Sequence, residues 1–184
     1  MKSRRTPSRK RATVVVPVIA ALLAALCGCG EEAPGRNYAV PAELCGIAVG
    51  TDDLAPFLPA GDAISVRAKS GGGVRSCQVV VDGRLVLTTT QAWLEEGRTT
   101  AYFAYGQSLE AVGHSAEDDR FRYSGNEAFG KTAGCVDSRY GQELYTAMQA
   151  QGSGHRDADA MKRLITSYTH EVESSAACDA GALT

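Results

Sequence analysis

Histidine, methionine and tryptophan are scarce in this chain, numbering three, three and one among 184 residues. The histidines stand far apart at His114, His155 and His170. They form no metal-ligand spacing: His170-Glu171 begins like a zinc-protease helix, but Ser174 occupies the position of the second histidine. Close C-x-x-C pairs are missing outside the N-terminal segment, so the spacing of a zinc site is missing too. Basic excess is absent as well, which argues against nucleic-acid binding. No apolar run reaches the roughly 20 residues of a membrane-spanning helix. Ala12 to Leu26 gives 15 residues, interrupted by Pro17 and closed by glycines. Neither an internal repeat nor a long low-complexity tract is present.

The N-terminus has a definite build. MKSRRTPSRKR is basic, ATVVVPVIAALLAAL is apolar, and CGCG is small-residue rich. That three-part order is the anatomy of a secretory signal. Leu26-Cys27-Gly28-Cys29 resembles a bacterial lipobox, with an aliphatic residue three before the cysteine and a small one just before it. Cys27 fits less well because bulky Leu26 precedes it. The expected lipid attachment site is therefore Cys29. The resemblance implies a diacylglycerol on its sulfur and cleavage before it, making residues 1–28 a lipoprotein signal peptide. Two or more acyl chains hold a protein stably on a membrane, at about 0.8 kcal/mol per buried methylene. The expected localisation is the extracytoplasmic face of the cell membrane. Ser3-Arg4-Arg5 hints at twin-arginine export, but Pro7 and Ser8 stand where apolar residues belong.

Six of the 19 Lys/Arg residues and none of the 21 acids precede Cys29, so the processed chain has 13 cations, a net charge of −8. Such a domain avoids nucleic acid and anionic headgroups. Residues 29–40 read as a flexible tether, and residues 41–184 as one extracytoplasmic domain. Its four cysteines, Cys45, Cys77, Cys135 and Cys178, form an even set that reads as two disulfides in an exported chain. Loop-closure entropy, about 4–5 kcal/mol per bridge, does not choose among the three possible connectivities.

Along the chain, Pro41 to Cys45 reads as a helix opening with proline in its first turn. Thr51-Asp52-Asp53-Leu54 reads as a second short helix, with acids at its positive end, stopping near Pro59. Ala63 to Lys69 alternates Ile64, Val66 and Ala68 with Ser65, Arg67 and Lys69, the pattern of a half-buried strand. Ser70 to Gly73 reads as a flexible loop. CQVVV-Asp82-Gly83-RLVLTTT is a hairpin signal, with Val79 facing Val86 and Val80 facing Leu85. Residues 94–120 fit either a short helix or a loop, with Glu117-Asp118-Asp119 a solvated turn. Phe121 to Tyr123, Thr132 to Val136 and Glu143 to Gln149 read as strands. From Asp157 onward, Met161, Leu164, Ile165, Tyr168 and Val172 recur at helical spacing, with Lys162, Arg163, Thr166, His170 and Glu173 on the wet face. The expected fold is α+β: a mainly antiparallel sheet with short N-terminal helices and a C-terminal amphipathic helix packed on it.

Several motifs occur here in one order: LCG at 44–46, FLPAG at 57–61, CQVVVDG at 77–83, a cysteine at 135 and ELYTAMQ at 143–149. In these the chain resembles a group of actinobacterial cell-envelope lipoproteins whose domain has no established function. The resemblance covers most of residues 40–180 and implies an α/β fold with one bridge in each half. It thereby favours Cys45–Cys77 and Cys135–Cys178, and it supplies no catalytic residues.

Gly125 to Thr132, GNEAFGKT, matches the phosphate-loop pattern G-x-x-x-x-G-K-[ST] letter for letter. A working loop follows a buried strand and opens a helix, so that backbone N–H groups and the helix dipole meet phosphate. RFRYS before it and AGCVDSRYGQ after it offer neither. The expectation is no nucleotide, no metal and no other cofactor. Ser108, in GQSLE, misses the nucleophile elbow at its last glycine and reads as a surface serine. Each histidine reads as solvent-facing. Trp93, Tyr102, Tyr105 and Tyr123 read as core, with a ligand groove as the alternative. The functional expectation is a non-catalytic, lipid-anchored binding module whose partner is an envelope protein or small ligand. The rival is an envelope hydrolase whose site assembles only in the fold.

Overall fold

The computed structural model describes residues 35–179. The signal segment, Cys29 and residues 29–34 of the expected tether lie outside the described residues. In chain order the elements are β1 (Glu43–Leu44), β2 (Ile47–Ala48), α1 (Thr51–Leu54) with a 3-10 turn (Ala55–Phe57), β3 (Ile64–Gly71), β4 (Val74–Val81), β5 (Arg84–Glu95), α2 (Thr100–Tyr105), β6 (His114–Ala116), β7 (Phe121–Tyr123), β8 (Glu127–Asp137), β9 (Gln142–Ala150) and α3 (Ala158–Glu173), followed by a 3-10 turn (Ala176–Cys178). Seven strands form one sheet in the order β3-β4-β5-β9-β8-β7-β6, and every pairing in it is antiparallel. The fold is α+β, with α3 packed on the sheet.

The two glycine-bearing turns fix the first three long strands. Asp82 and Gly83 have φ of 47° and 80°, as a two-residue type I′ turn requires, and Val81 pairs with Arg84 across it. The Asp82 carboxylate also accepts the N–H groups of Asp62 and Ala63, tying the start of β3 to this turn. At the opposite end, Gly72 and Gly73 have φ of 60° and 75° and join Gly71 to Val74. Ser70 to Gly73, read from sequence as a flexible loop, is thus the tip of a tight hairpin.

Strand alternation sorts side chains onto two faces. On one, α3 buries Met161, Leu164, Ile165, Tyr168 and Val172 fully or nearly so, together with Leu87, Met148 and Leu144 of the sheet. Five such side chains stabilise the packing by roughly 1.5–3 kcal/mol each. Asp157 caps the helix by accepting the Ala160 N–H at 2.9 Å. On the other face, α2 packs Phe103 and Ala104 against Ala92, Phe129, Tyr145 and Ala147.

Two irregularities shape the sheet. A bulge at Val86 pairs Val79 with Leu87, while Val80 still faces Leu85. The expected Val79–Val86 pairing is therefore corrected. The extra residue turns its carbonyl to Gln151 and Gly152, whose N–H groups it accepts at 2.8 and 3.1 Å. The second irregularity lies between Lys131 and Val136, where β8 leaves the β9 ladder. It turns buried Cys135 to Cys178, and the bridges are Cys45–Cys77 and Cys135–Cys178. Two disulfides fit an oxidising, extracytoplasmic environment.

Other expectations are corrected. Pro41 to Cys45 is no helix, because residues 43–48 form the β1–β2 hairpin, with Cys45 and Gly46 at φ of 52° and 86° in its turn. Arg36 to Val40 is docked rather than free: Arg36 bridges Gly61 and donates to the carbonyls of Ala55 and Leu58, and the Tyr38 hydroxyl donates to that of Pro59. β3 is a strand, but Val66 is 36% exposed and Arg67 to Gly71 are exposed. Neither helix covers the sheet at that edge. The Thr166 hydroxyl is buried, and Glu173 is held by Arg120 and by the Ala133 N–H of the β8 irregularity, so neither is on a wet face.

Candidate functional site

GNEAFGKT lies in the sheet. Gly125 and Asn126 form the turn into β8, and Glu127 to Lys131 pair antiparallel with Gln149 to Tyr145. Lys131 Nζ sits 2.7 Å from Glu143 Oε2, and the Thr132 hydroxyl donates to the Leu144 carbonyl at 2.8 Å. The glycines have packing reasons. A side-chain carbon on Gly125 would approach the Arg156 backbone to 3.2 Å. One on Gly130 would come within 2.9 Å of Phe121, Thr146 and Thr169 at once. Gly130 is where α3 meets the sheet, through a 2.7 Å hydrogen bond between the Thr146 and Thr169 hydroxyls.

Around Lys131 the charges are mutually engaged. Burial would lower its pKa, but the Glu143 hydrogen bond and neighbouring charge outweigh that and raise it. Burial would likewise raise that of Glu143, yet the bonds from Lys131 and the Gly97 N–H hold it below the usual carboxylate value. Burial pushes the Tyr145 phenol up, and its hydroxyl donates to the Arg98 carbonyl. Arg120 nearby pairs with Glu117 and Glu173.

A concave feature lies beside α2. Thr99 caps this helix by accepting the Tyr102 N–H at 3.1 Å. Phe103 is the residue that α2 drives into the sheet, edge-on to Phe129 at 5.9 Å and tilted against Tyr145 at 5.4 Å. Residues three apart share a helix side, so burying Phe103 leaves Tyr102 and Tyr105 together on the outside. They are 53% and 89% exposed. With Val74, Leu94 and Gln107 they line a groove of about 460 Å³. The Arg98 guanidinium lies 4.5 Å from the Tyr102 ring centre and pairs with Glu95 at 2.7 Å. Trp93 also borders the groove, while strand alternation sends Ala92 and Leu94 to the α2 face and Trp93 toward the α3 core.

The core expectation is therefore corrected for Tyr102 and Tyr105, holds in part for Trp93, and holds for Tyr123, which is 7% exposed. On the far side of Tyr105, a smaller pocket of about 190 Å³ contains Ser108, Glu110 and Arg122 and no histidine. His114 is exposed and stacks on Tyr123 at 5.4 Å; His170 is exposed and meets Glu173 at 3.0 Å. His155 departs from the solvent-facing expectation. It is half-buried edge-on to Phe57 at 5.0 Å, with Nε2 buried. Among the described residues no group of His, Cys, Asp and Glu could hold a metal ion, and no helix is long and apolar enough to cross a membrane.

Fold and site together define a disulfide-linked α+β domain with an exposed aromatic groove. No family model, curated protein or solved structure matches the chain.

Proposed function

We propose that this chain is a lipid-anchored extracytoplasmic binding module, non-catalytic, that receives a flat ring with polar edges against Tyr102 and Tyr105. The carrying observation is the pair of tyrosines held in solvent on a helix whose Phe103 is locked in the core. A large exposed aromatic surface is uncommon on a soluble domain without a binding role. Tyrosine suits such a role because it offers an apolar face and a polar tip at low entropic cost. Sugar rings and planar aromatic groups share this chemistry. The lipobox-like segment ending in Cys29 and the two disulfides support the address. The motif resemblance to envelope lipoproteins points the same way. The Ser108 pocket holds Glu110 and Arg122 but no histidine, the most frequent general base beside a serine nucleophile, which favours the binding reading over the hydrolase one.

Calorimetry reads occupancy of the groove without relying on Trp93, the sole tryptophan, which borders the groove but is sent toward the α3 core. Titration with soluble cell-wall oligosaccharides and with small indole and purine probes should give a saturable change with at least one class. The change should vanish in Tyr102→Ala/Tyr105→Ala, whose melting temperature stays within a degree or two of wild type. Absence of any saturable response, or one that survives the double substitution, refutes the assignment.

A further inference from the structure

Beyond the groove, we propose that the open edge of β3 is a docking strand for an extended acidic peptide segment of a partner protein. Natural sheets protect long edges with bulges, prolines, charged side chains, inward-pointing charges or very short strands. The far edge obeys this, since β6 is only three residues long. β3 is eight residues long, has no proline, and pairs with β4 from Ile64 to Gly71 without a register shift. Among the described residues it has no second neighbour. Of the protective devices β3 carries only the charges of Arg67 and Lys69, which deter a cationic or self-paired strand but not an acidic one.

The free hydrogen-bonding groups can be assigned. In a two-residue hairpin the residues flanking the turn form a hydrogen-bonded pair, and bonded and non-bonded pairs then alternate. Gly71 and Val74 flank Gly72-Gly73. Counting back, Lys69, Arg67, Ser65 and Ala63 turn their amides toward β4, and the 3.0 Å bond from the Asp82 N–H to the Ala63 carbonyl lies in the same set. The N–H and C=O groups of Ile64, Val66, Ala68 and Ser70 therefore point outward, available to an incoming strand.

Charge selects the occupant. From Ala63 to Val81 the chain carries Arg67, Lys69 and Arg75 and no acid, within a processed chain of net −8. Arg67 and Lys69 are exposed, make no ion pair among the described residues, and share one face of the strand. Residues directly opposite across a sheet share a face. An added strand thus sets two acidic side chains, two residues apart, beside Arg67 and Lys69, and small or β-branched ones beside Val66 and Ala68. A second copy of this chain meets the opposite condition: self-pairing brings the cations of both copies onto one face, and like charges across a ladder repel.

The test uses the full chain in detergent and a synthetic peptide of alternating glutamate and valine ended by threonines, with a lysine-for-glutamate peptide as control. Calorimetry should show binding of the acidic peptide only, weakening as salt rises. Amide signals of Ile64, Val66, Ala68 and Ser70 should shift. Ala68→Pro deletes an outward N–H and no ladder bond, so binding should fall at least tenfold with the melting temperature retained. Arg67→Glu/Lys69→Glu should lose binding to the same extent. Should Ala68→Pro fail to fold, N-methylation of alternate peptide residues tests the same bonds from the ligand side and should abolish binding. No acidic-peptide binding, equal binding of the lysine peptide, or binding indifferent to both Ala68→Pro and N-methylation overturns the proposal. Concentration-dependent dimerisation lost in Ala68→Pro would assign the edge to a second copy instead. Capture by phosphatidylglycerol vesicles, lost in the charge reversal and kept in Ala68→Pro, would assign it to a lipid surface. Either result also overturns the proposal.

Discussion

Gly130→Ala separates a packing role for the GNEAFGKT glycines from a phosphate-binding one. The added carbon would lie 2.9 Å from a Phe121 ring carbon and from the Thr146 and Thr169 hydroxyl oxygens. None of these gives way cheaply, because the hydroxyls are bonded to each other at 2.7 Å and Phe121 is fully buried. Overpacking of this kind costs about 1–3 kcal/mol. Stiffening of the unfolded chain offsets about 0.4–1 kcal/mol, since Gly130 is not at positive φ. The net destabilisation is then on the order of 1–2 kcal/mol, a fall of about 2–8 °C at 2–4 °C per kcal/mol for a domain of this size. Gly130→Val should fall further. Lys131→Ala removes only a partly exposed ion pair, worth about 1 kcal/mol or less. Thermal and urea unfolding followed by circular dichroism should therefore rank Gly130→Val, Gly130→Ala, then Lys131→Ala in order of damage. Calorimetry should show no ATP binding by wild type at millimolar nucleotide. An unchanged melting point in Gly130→Ala, a larger loss in Lys131→Ala, or micromolar ATP binding lost in Lys131→Ala would refute the reasoning.

Cys178→Ser opens a bridge spanning 43 residues and should cost about 4 kcal/mol by loop entropy, with proteolysis appearing near Asp157; an unchanged melting point counts against the bridge as a staple. The Lys131–Glu143 pair sets a pH window. Because Glu143 is held below its ordinary value of 4.5, its contribution is present above that pH and is lost as pH falls through the folded value. Because Lys131 is held above 10.5, its contribution is present below that pH and disappears as pH rises through the folded value. Urea midpoints of Glu143→Gln against wild type should converge in acid and diverge at neutral pH, and a constant gap from pH 2 to 7 would contradict this. Cys29→Ala should move the protein out of the membrane fraction and abolish labelling by a fatty-acid probe; loss in Cys27→Ala alone would relocate the anchor.

The parts of the fold legible in sequence were those whose cause is local. α3 follows from apolar spacing and an Asp cap, and the Asp82-Gly83 hairpin from two residues that tolerate positive φ. The disulfide pairing was legible only through resemblance, because entropy left the connectivities equal. What stayed hidden depends on distant neighbours. The six-residue α2 is too short for its period to show, so Tyr102 and Tyr105 could not be assigned to one side of a helix. β3 has the alternation of a half-buried strand, but its exposure depends on where α3 and α2 happen to end. The Val86 bulge is invisible locally because its reason lies at Gln151 and Gly152. Glu173 follows the solvent stripe of its helix and is engaged only because β8 leaves its ladder at Ala133.

Cys45–Cys77 also decides how the domain carries mechanical load. Among the described residues, a pull arriving along the chain from the N-terminal side reaches the contacts of Arg36 first and peels at most Arg36 to Leu44, roughly 30 Å of contour. Beyond that point the force crosses the Cys45 sulfur directly into the middle of β4. β3 thus lies outside the covalent load path. Cys135–Cys178 does the same at the other end, taking β9 and α3 out of the covalent load path between the bridges. Reduction of Cys45–Cys77 returns β3 to the load path, and reduction of Cys135–Cys178 returns β9 and α3 to it.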